Sequence, residues 1–535
     1  MVVSVIHSHS FFFNHSIMNK IIIIIAFSLL YLSGFTQTSS YFNKLIFPQQ
    51  GTNTINTIIK TDSFYYLSAI YLDSTYYNYT QGFQMIKIDL LGNIVKNSIW
   101  KDSTDNISYG LFYNNSMVIT DSNKIYVCGA TLDSLGISNA ILICVSTTLD
   151  TLWTRTYQHP DTVAAAQIGA NIFNSFTAIR QSLDGGFIIS GMYNPGCVAN
   201  ADRKAYLLKT DSLGEIDWIR KYNTDGFYDI ELAADSGYYF PAFLNHQAMV
   251  FKTDKYGNIQ WQLVVNSNNV RGYPMDLELL DSNILYVSSK FVYDITYIKS
   301  GITLAKVDIQ NQTKLWEKNY IVFNNFTCQS LHQSMGLDIL PSGDLVITGT
   351  VEMLNPTNSQ ELNHKGMIMK VNADGDSLWA RWHGHGLFKD DCQIHDVVLT
   401  NDGGFLAVGW QWHNNGELFF QNAWLLKMDS MGCDTAGCDI YDAISRIQIR
   451  PEINMMLYPN PTSDYFRISA DGVEQLHGLW LSIIDMQGRE VKRIKLQNYP
   501  SSTSIDVSNL SSGIYGVSLY SDEVLLEFKT LEIKN

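Results

Sequence analysis

One short pattern recurs seven times between residues 84 and 433: an apolar strand, a tight turn and, in its fullest form, a second strand opening on tryptophan. The clearest copies are YLLKTDSLGEIDW at Tyr206–Trp218, MVFKTDKYGNIQW at Met249–Trp261 and MIMKVNADGDSLW at Met367–Trp379. More degenerate copies start at Gln84, Leu142, Thr303 and Trp424. Each is preceded by another turn and an apolar strand. This second motif is sharpest in DGGFIISG from Asp184 and DGGFLAVG from Asp402, with looser forms from Asp62, Asp121, Asp235, Asp281 and Ser342. Those starts lie 59, 63, 51, 46, 61 and 60 residues apart. A repeat of that length, carrying about four strands, fits a β-propeller blade rather than a solenoid coil. Blades bury their faces only against one another, so the seven units form one domain.

Within a unit, the Asp-Gly-Gly turn is predicted to join the inner strand A to strand B, and the Asp-x-x-Gly turn to join strand C to strand D. Asp caps such turns through its carboxylate, and Gly tolerates positive φ. The tryptophan opening strand D is expected to pack between blades. The seventh unit lacks strand D, because after Gly432 the chain runs into CDTAGCDIYDAIS. Its replacement is predicted at Tyr41–Phe47, which is similar to WIRKY at Trp218–Tyr222. Pairing there closes the ring and removes an exposed edge.

The two ends carry signals of a different kind. Met18-Asn19-Lys20 precedes an unbroken apolar run, Ile21–Leu32, followed by Ser33-Gly34-Phe35-Thr36-Gln37. A basic start, a short apolar region and small or polar residues predict a signal peptide over residues 1–36. Met1–Ile17 contain no lysine or arginine, so translation is expected to start at Met18. The apolar run is shorter than the ~20 residues a spanning helix needs, so no integral membrane segment is expected once it is removed.

At the other end, Tyr458-Pro459-Asn460-Pro461 opens a strand-rich stretch punctuated by prolines that favour extended chain. Phe466, Ile468, Leu479, Leu481 and Ile483 alternate with polar or smaller residues, as half-buried strands do. Asp485-Met486-Gln487-Gly488 reads as a hairpin turn and Ser512-Gly513 as another. In YPNPTSDYFRIS, LWLSIIDMQGREVKRIKL and IDVSNLSSGIYGVSLYSDE, taken in order, residues 453–535 resemble the type A C-terminal sorting domain of the type IX secretion system. That resemblance implies a sorting motif at Tyr458, Pro459, Asn460, Pro461, Gly488, Gly513 and Tyr515. It also implies the secretion machinery as partner, a secreted or outer-membrane-surface location, removal of the tail, and attachment of the cargo to surface lipopolysaccharide. The repeats themselves resemble uncharacterised families of secreted propellers that often carry this tail.

Composition agrees with an exported all-β chain. Charged residues make up 16% and aromatics 13%, with 30 Tyr. Tyrosine, isoleucine, valine and threonine suit pleated, half-buried surfaces. The net charge of −15 argues against nucleic acid or anionic lipid as a partner, since both require a basic surface. Seven cysteines predict disulfides with at least one thiol left over. Cys433 and Cys438 are the candidate pair, and Cys328 with Cys392 a weaker one. Cys128 and Cys144 sit in apolar runs and are expected as buried thiols.

Signals for chemistry are sparse. No GxSxG elbow, HExxH, Walker loop or dinucleotide fingerprint is present. His383-Gly384-His385 with Cys392 and His395 is the densest ligand set, yet too loose for structural zinc, and is expected on solvated loops between units six and seven. Asn372–Asp376 gathers oxygens but misplaces the glycine of a calcium loop, so it reads as a turn. Sialidase Asp boxes are similar, but Asp211, Gly214 and Trp218 are spaced one step too far. No metal or cofactor is expected. Paired carboxylates for glycoside hydrolysis need not be neighbours in sequence, and 51 acidic residues give no basis for choosing two.

The expected architecture is a seven-bladed β-propeller over 37–440, a linker over 441–452 and a small Ig-like β-sandwich over 453–535. For the propeller, a non-catalytic binding or adhesion module for an extracellular glycan or protein leads. A carbohydrate-active hydrolase or lyase working in the funnel and a structural surface-layer component are the alternatives.

Overall fold

The computed structural model describes residues 41–534 except 47–51, 73–80, 102–106, 111–114, 134–136, 159–172, 195–203, 225–226, 267–270, 295–298, 323–327, 356–357, 385–390, 415–418, 436–446, 450–453, 472–478, 486–488, 497–502 and 522–523. The signal peptide, the Met18 start, His385, Cys438 and Gly488 therefore lie outside the described residues.

Seven antiparallel sheets form the blades of a propeller, with strands ordered A to D from the centre outward. They span residues 52–100, 107–157, 173–222, 231–264, 271–322, 328–383 and 391–428. Blade 3 is representative, with Phe173–Gln181, Phe187–Asn194, Lys204–Thr210 and Ile216–Tyr222. Blade 4 has the shortest strand A, Glu231–Leu232. Blade 7 takes its outer strand from far upstream. Phe42–Ile46 pairs antiparallel with Phe419–Met428, setting Phe42 opposite Lys427 and Ile46 opposite Ala423, as the sequence predicts. Ile447–Ile449 adds a further strand to the outer edge of blade 5, against Tyr320–Val322.

Each seam between blades has its own apolar core. Tyr126, Cys128 and Leu142 of blade 2 meet Phe176, Phe187 and Ile189 of blade 3. Phe227 and Phe240 of blade 4 meet Ala178 and Leu207 of blade 3, with the two phenyl rings 4.1 Å apart. The closing seam buries Ile46 with Ile55 and Leu67 of blade 1 and Val408 and Leu425 of blade 7. Seven such clusters bring the ring back to its start.

The repeated residues build the turns and seams. Asp211 opens its turn by accepting the N–H groups of Leu213 and Glu215, both at 2.8 Å. Asp89, Asp254 and Asp429 do the same in blades 1, 4 and 7. Asn372 does so in blade 6, which makes Asn372–Asp376 an inter-strand turn. The turn glycines Gly214, Gly257, Gly375 and Gly432 hold φ between 74° and 80°, a region that only glycine enters cheaply. Over each lies the strand-D pair of the preceding blade: Trp153 with Arg155, Trp218 with Arg220, Trp316 with Lys318 and Trp379 with Arg381. Two residues further on, Tyr157, Tyr222 and Tyr320 donate to the carbonyl oxygens of Gly214, Gly257 and Gly375 at 2.8, 2.6 and 2.7 Å. At the closing seam, Phe42 and Lys44 take the tryptophan and arginine places over Gly92. Within blades 3, 4, 6 and 7, the strand-C lysines Lys209, Lys252, Lys370 and Lys427 reach the A–B turn carboxylates at 2.8–2.9 Å.

The C-terminal sandwich packs Asn454–Tyr458, Tyr465–Asp471 and Thr503–Asp506 on a sheet of Glu490–Lys495, Leu479–Ile484, Gly513–Ser521 and Val524–Ile533. Phe466, Ile468, Leu479, Leu481 and Ile483, the residues singled out by alternation, lie in its core. Asn460 ties the opening motif to the last strand. Its amide donates to the Thr530 carbonyl at 2.7 Å, and its oxygen accepts the Glu532 N–H at 2.9 Å. Tyr515 is buried, with its hydroxyl on the Ser511 carbonyl at 2.9 Å. The turn read at Ser512-Gly513 falls earlier, where the Leu510 N–H donates to the Val507 carbonyl at 2.9 Å, and Gly513 already begins a strand.

Candidate functional site

With the recurring Asp, Gly, Lys and Trp occupied in turns and seams, chemistry falls to residues outside the repeat. The innermost strands supply them. Strand A is bulged at one level in blades 1, 3, 5, 6 and 7, with register shifts at Ile55/Thr57, Phe176/Ala178, Pro274/Asp276, Ser334/Gly336 and Ile394/Asp396. A bulge re-aims the residue that follows it. Where that residue is Asp, its carboxylate crosses to the next blade. Asp276 accepts the Leu337 N–H at 2.8 Å, and Asp396 accepts the Ile58 N–H at 3.0 Å. Asp229 of blade 4 likewise accepts the Leu277 N–H at 3.2 Å. These carboxylates clip blade to blade around the channel.

Two residues further along, four successive blades present Arg180, Glu231, Glu278 and Asp338, while blades 1, 2 and 7 present Ile59, Val118 and Val398. Arg180 binds Asp229 at 2.7 Å, Glu231 at 3.2 Å and the Asn115 side-chain oxygen at 3.1 Å. Asn115 donates in turn to Asp276 at 3.1 Å. Burial pushes the Asp276 and Asp396 carboxyls up to about 7 and Asp338 up to about 6. Glu231 is pushed up to about 7 by burial, with Arg180 opposing the shift. Burial, reinforced by Glu231, raises Glu278 as well. The cluster therefore holds protons near neutrality, one guanidinium being too little to compensate so many desolvated carboxylates.

Among the described residues, His383, Cys392 and His395 form no group that could hold a metal ion. His383 ends strand D of blade 6, 3.8 Å from Asp434, whereas Cys392 and His395 lie on inner strand A of blade 7. His383, Cys392 and His395 are buried rather than on solvated loops, because both strands extend into the stretch read as a linker. His395 Nδ1 lies 3.0 Å from the Ile55 carbonyl, and burial pushes its pKa down to about 4. Cys392 is a buried thiol, which removes the pairing with Cys328; Cys128 and Cys144 are buried thiols as expected. Cys433 is disulfide-bonded. The channel set Arg180, Glu231, Glu278 and Asp338 escaped the motif reading. Yet each stands three or four residues before its A–B turn, at Asp184, Asp235, Asp281 and Ser342, so aligning the repeats on that turn stacks them.

A second concavity opens on the short-turn face, between blades 3 and 4. It measures about 560 Å³ and is walled by Leu183, Trp218 and Tyr256, with Asp184, Asp217 and Ser236 among its polar groups.

The fold is thus that of a seven-bladed propeller joined to a small sandwich. Residues 456–531 match the family described as the secretion system C-terminal sorting domain, and this tail marks the protein for type IX export to the cell surface or extracellular space. No match is found among curated proteins. Among solved structures, the chain is similar to the WD40 β-propeller domain of Doa1, at 11% identity and TM-score 0.37, covering 73% of this chain and 97% of that one. It is also similar to a protein of unknown function from Dyadobacter fermentans, at 8% identity and TM-score 0.39, covering 60% and 98%. A PL25 ulvan lyase aligns at 8% identity and TM-score 0.38, covering 68% and 92%. Likeness at this level decides nothing about what the propeller binds. No helix among the described residues is long and apolar enough to cross a membrane.

Proposed function

We propose that the propeller is a non-catalytic binding module for an extracellular glycan or protein. In this reading the tail is its sorting signal, with Tyr458, Pro459, Asn460, Pro461, Gly488, Gly513 and Tyr515 as motif residues. The occupancy of the channel carboxylates carries the proposal. Asp229, Asp276 and Asp396 are spent on backbone N–H groups of neighbouring blades, and Glu231 is held by Arg180. A glycoside hydrolase needs two carboxyl groups free to face one scissile bond. One observation favours a hydrolase or lyase instead: Glu278 and Asp338 stand on adjacent blades with raised carboxyls. A thermal-shift screen of the full chain against polysaccharides, peptides and divalent metals tests both. A ligand at a hundredfold its Kd adds about 2.7 kcal/mol. A shift with the glycan or peptide left intact is the expected result. Shortened product overturns it in favour of an enzyme, and Glu278→Gln should then abolish turnover. No shift with any ligand leaves the structural surface component.

A further inference from the structure

We infer that the cleft between blades 3 and 4 is a subsite for a short, neutral glycan; the inference rests on the binding-module reading above. The cleft lies where the A–B turns of blades 3 and 4 meet the C–D turn of blade 4, and Ala233 and Gly237 line it with little side-chain bulk. Its volume of about 560 Å³ lies inside the roughly 300–1,000 Å³ range of small-ligand pockets. A protein partner would need a far broader patch, about 800 Å² per side.

Two features mark this seam. First, the exposed position of the C–D turn is aromatic. Tyr256 is 53% exposed where blades 1, 3 and 7 carry Leu91, Leu213 and Met431. Trp218 lies beside it, packed on Gly257, and Arg220 holds the turn by donating to the Tyr256 carbonyl at 3.0 Å. Two rings on such fixed supports stack on a ligand with little ordering entropy left to lose. Second, the A–B turn of blade 4 places Ser236 at φ +67°, as blade 2 places Asn123 at +57°, where blades 3, 6 and 7 use Gly185, Gly343 and Gly403 at +80° to +83°. A non-glycine residue there is strained by about 1–2 kcal/mol. Ser236 lines the cleft, and nothing lies within 4 Å of a Cβ built at the three glycines. Retained strain that delivers a hydroxyl to a concavity points to use of that hydroxyl.

Aromatic faces flanked by hydroxyl and carboxylate groups match the two sides of a sugar ring, one lined by C–H and the other by hydroxyls. Charge narrows the class. The lining sets two lysines, Lys209 and Lys255, against two carboxylates, Asp184 and Asp217: Lys209 reaches both carboxylates, at 2.9 and 3.7 Å, and Lys255 Nζ lies 5.0 Å over the Tyr256 ring. A uronate or sulfated chain meets no net positive charge in that lining, and the whole chain carries −15.

Isothermal titration of the full chain with neutral cello-, xylo-, manno- and chito-tetrasaccharides, and with an oligouronate as the anionic counterpart, tests the site. At least one neutral tetrasaccharide should bind, and the oligouronate should not. Tyr256→Leu, which copies the sister blades, should weaken that binding by at least roughly tenfold, about 1.4 kcal/mol, with an unchanged melting temperature. Ser236→Gly should weaken binding while raising the melting temperature, a pairing of effects that a purely structural residue does not give. Absence of binding by every neutral tetrasaccharide, or preference for the oligouronate, overturns the ligand class. Binding unaltered in both variants overturns the site but leaves the module reading intact. Shortened tetrasaccharide in the cell overturns the module reading itself.

Discussion

The outer seams and the inner channel solve the same problem with opposite materials. At the rim, a tryptophan and a basic residue of one blade cover a glycine turn of the next, and a tyrosine hydroxyl reaches that glycine's carbonyl. Near the axis, where strands converge and no room remains for an indole, a carboxylate spans the gap to a backbone N–H. Rim contacts bury apolar area and leave their mark as a repeated motif. Channel contacts bury charge, which is tolerated only when hydrogen-bonded, and occur in a subset of blades. Residue types that resemble chemistry are thus doing joinery near the axis.

The strongest test of rim joinery is the one seam made by non-contiguous chain. Deleting residues 37–50 removes Phe42–Ile46, uncovers the edge of Phe419–Met428 and strips Ile46 from the closing core. Burial of one such side chain contributes about 1.5–3 kcal/mol, so the loss should reach several kcal/mol out of a total of about 5–15. Urea denaturation should show a lowered midpoint and a broadened transition. An unchanged midpoint would falsify closure by this strand.

A substitution within a continuous seam refines the picture. An Ala Cβ at Gly257 would lie 2.8 Å from Arg220 Cγ and 3.0 Å from the Trp218 ring, at φ +78°. Overpacking added to left-handed strain predicts a loss of about 2–4 kcal/mol for Gly257→Ala. Gly185→Ala has the same strain with open space around it, so about 1–2 kcal/mol should be lost. Equal losses in the two variants would mean that the tryptophan cover contributes nothing.

On the channel side, Asp276→Ala orphans the Leu337 N–H and the Asn115 amide, which predicts a loss of about 1–3 kcal/mol. Hydrogen exchange at the Leu337 amide should accelerate relative to its neighbours. If that amide keeps its protection, the clip is not holding blades 5 and 6 together.

How legible each region was follows from its chemistry. Asp211, Gly214 and Trp218 announce themselves because every blade needs the same turn and cover, so the pattern repeats with a fixed spacing. The missing seventh strand could be traced to Phe42 because a seam demands an aromatic and a basic residue two apart, as in Phe42 and Lys44. Asp276 and Asp396 were opaque because Thr57, Ala178 and Gly336 follow the equivalent bulge in other blades, so no repeat marks them. Ser236 was equally silent. Its significance is a φ angle, which sequence does not display. His383 misled for a related reason. It holds the place of Tyr157, Tyr222 and Tyr320 on strand D, and an isolated reading took it for a loop residue.

The pH dependence of stability separates the two regions again, and there the channel should depart from the rim in sign. Burial raises Asp276, Asp396 and Glu231 to about 7 and Asp338 to about 6, above unfolded values of roughly 4. Between pH 4 and 7 the native state therefore binds more protons than the unfolded chain. The stabilisation is complete below the unfolded pKa and is lost as pH rises through the native one. His395, pushed down to about 4, works against this, because its stabilisation is present above its unfolded pKa and fades as pH falls. The rim turn carboxylates Asp89 and Asp254 are held down by hydrogen bonds to their own turns, and their contribution fades only under more acidic conditions. Several carboxyls against one imidazole should leave the propeller more stable at pH 5 than at pH 7. Glu278→Gln removes one raised carboxyl and eases its neighbours Glu231 and Asp338, so its urea midpoint should vary less across that window. A wild-type midpoint that falls on acidification, or a variant that tracks the wild type at every pH, would mean the channel carboxylates stay ionised in the folded ring.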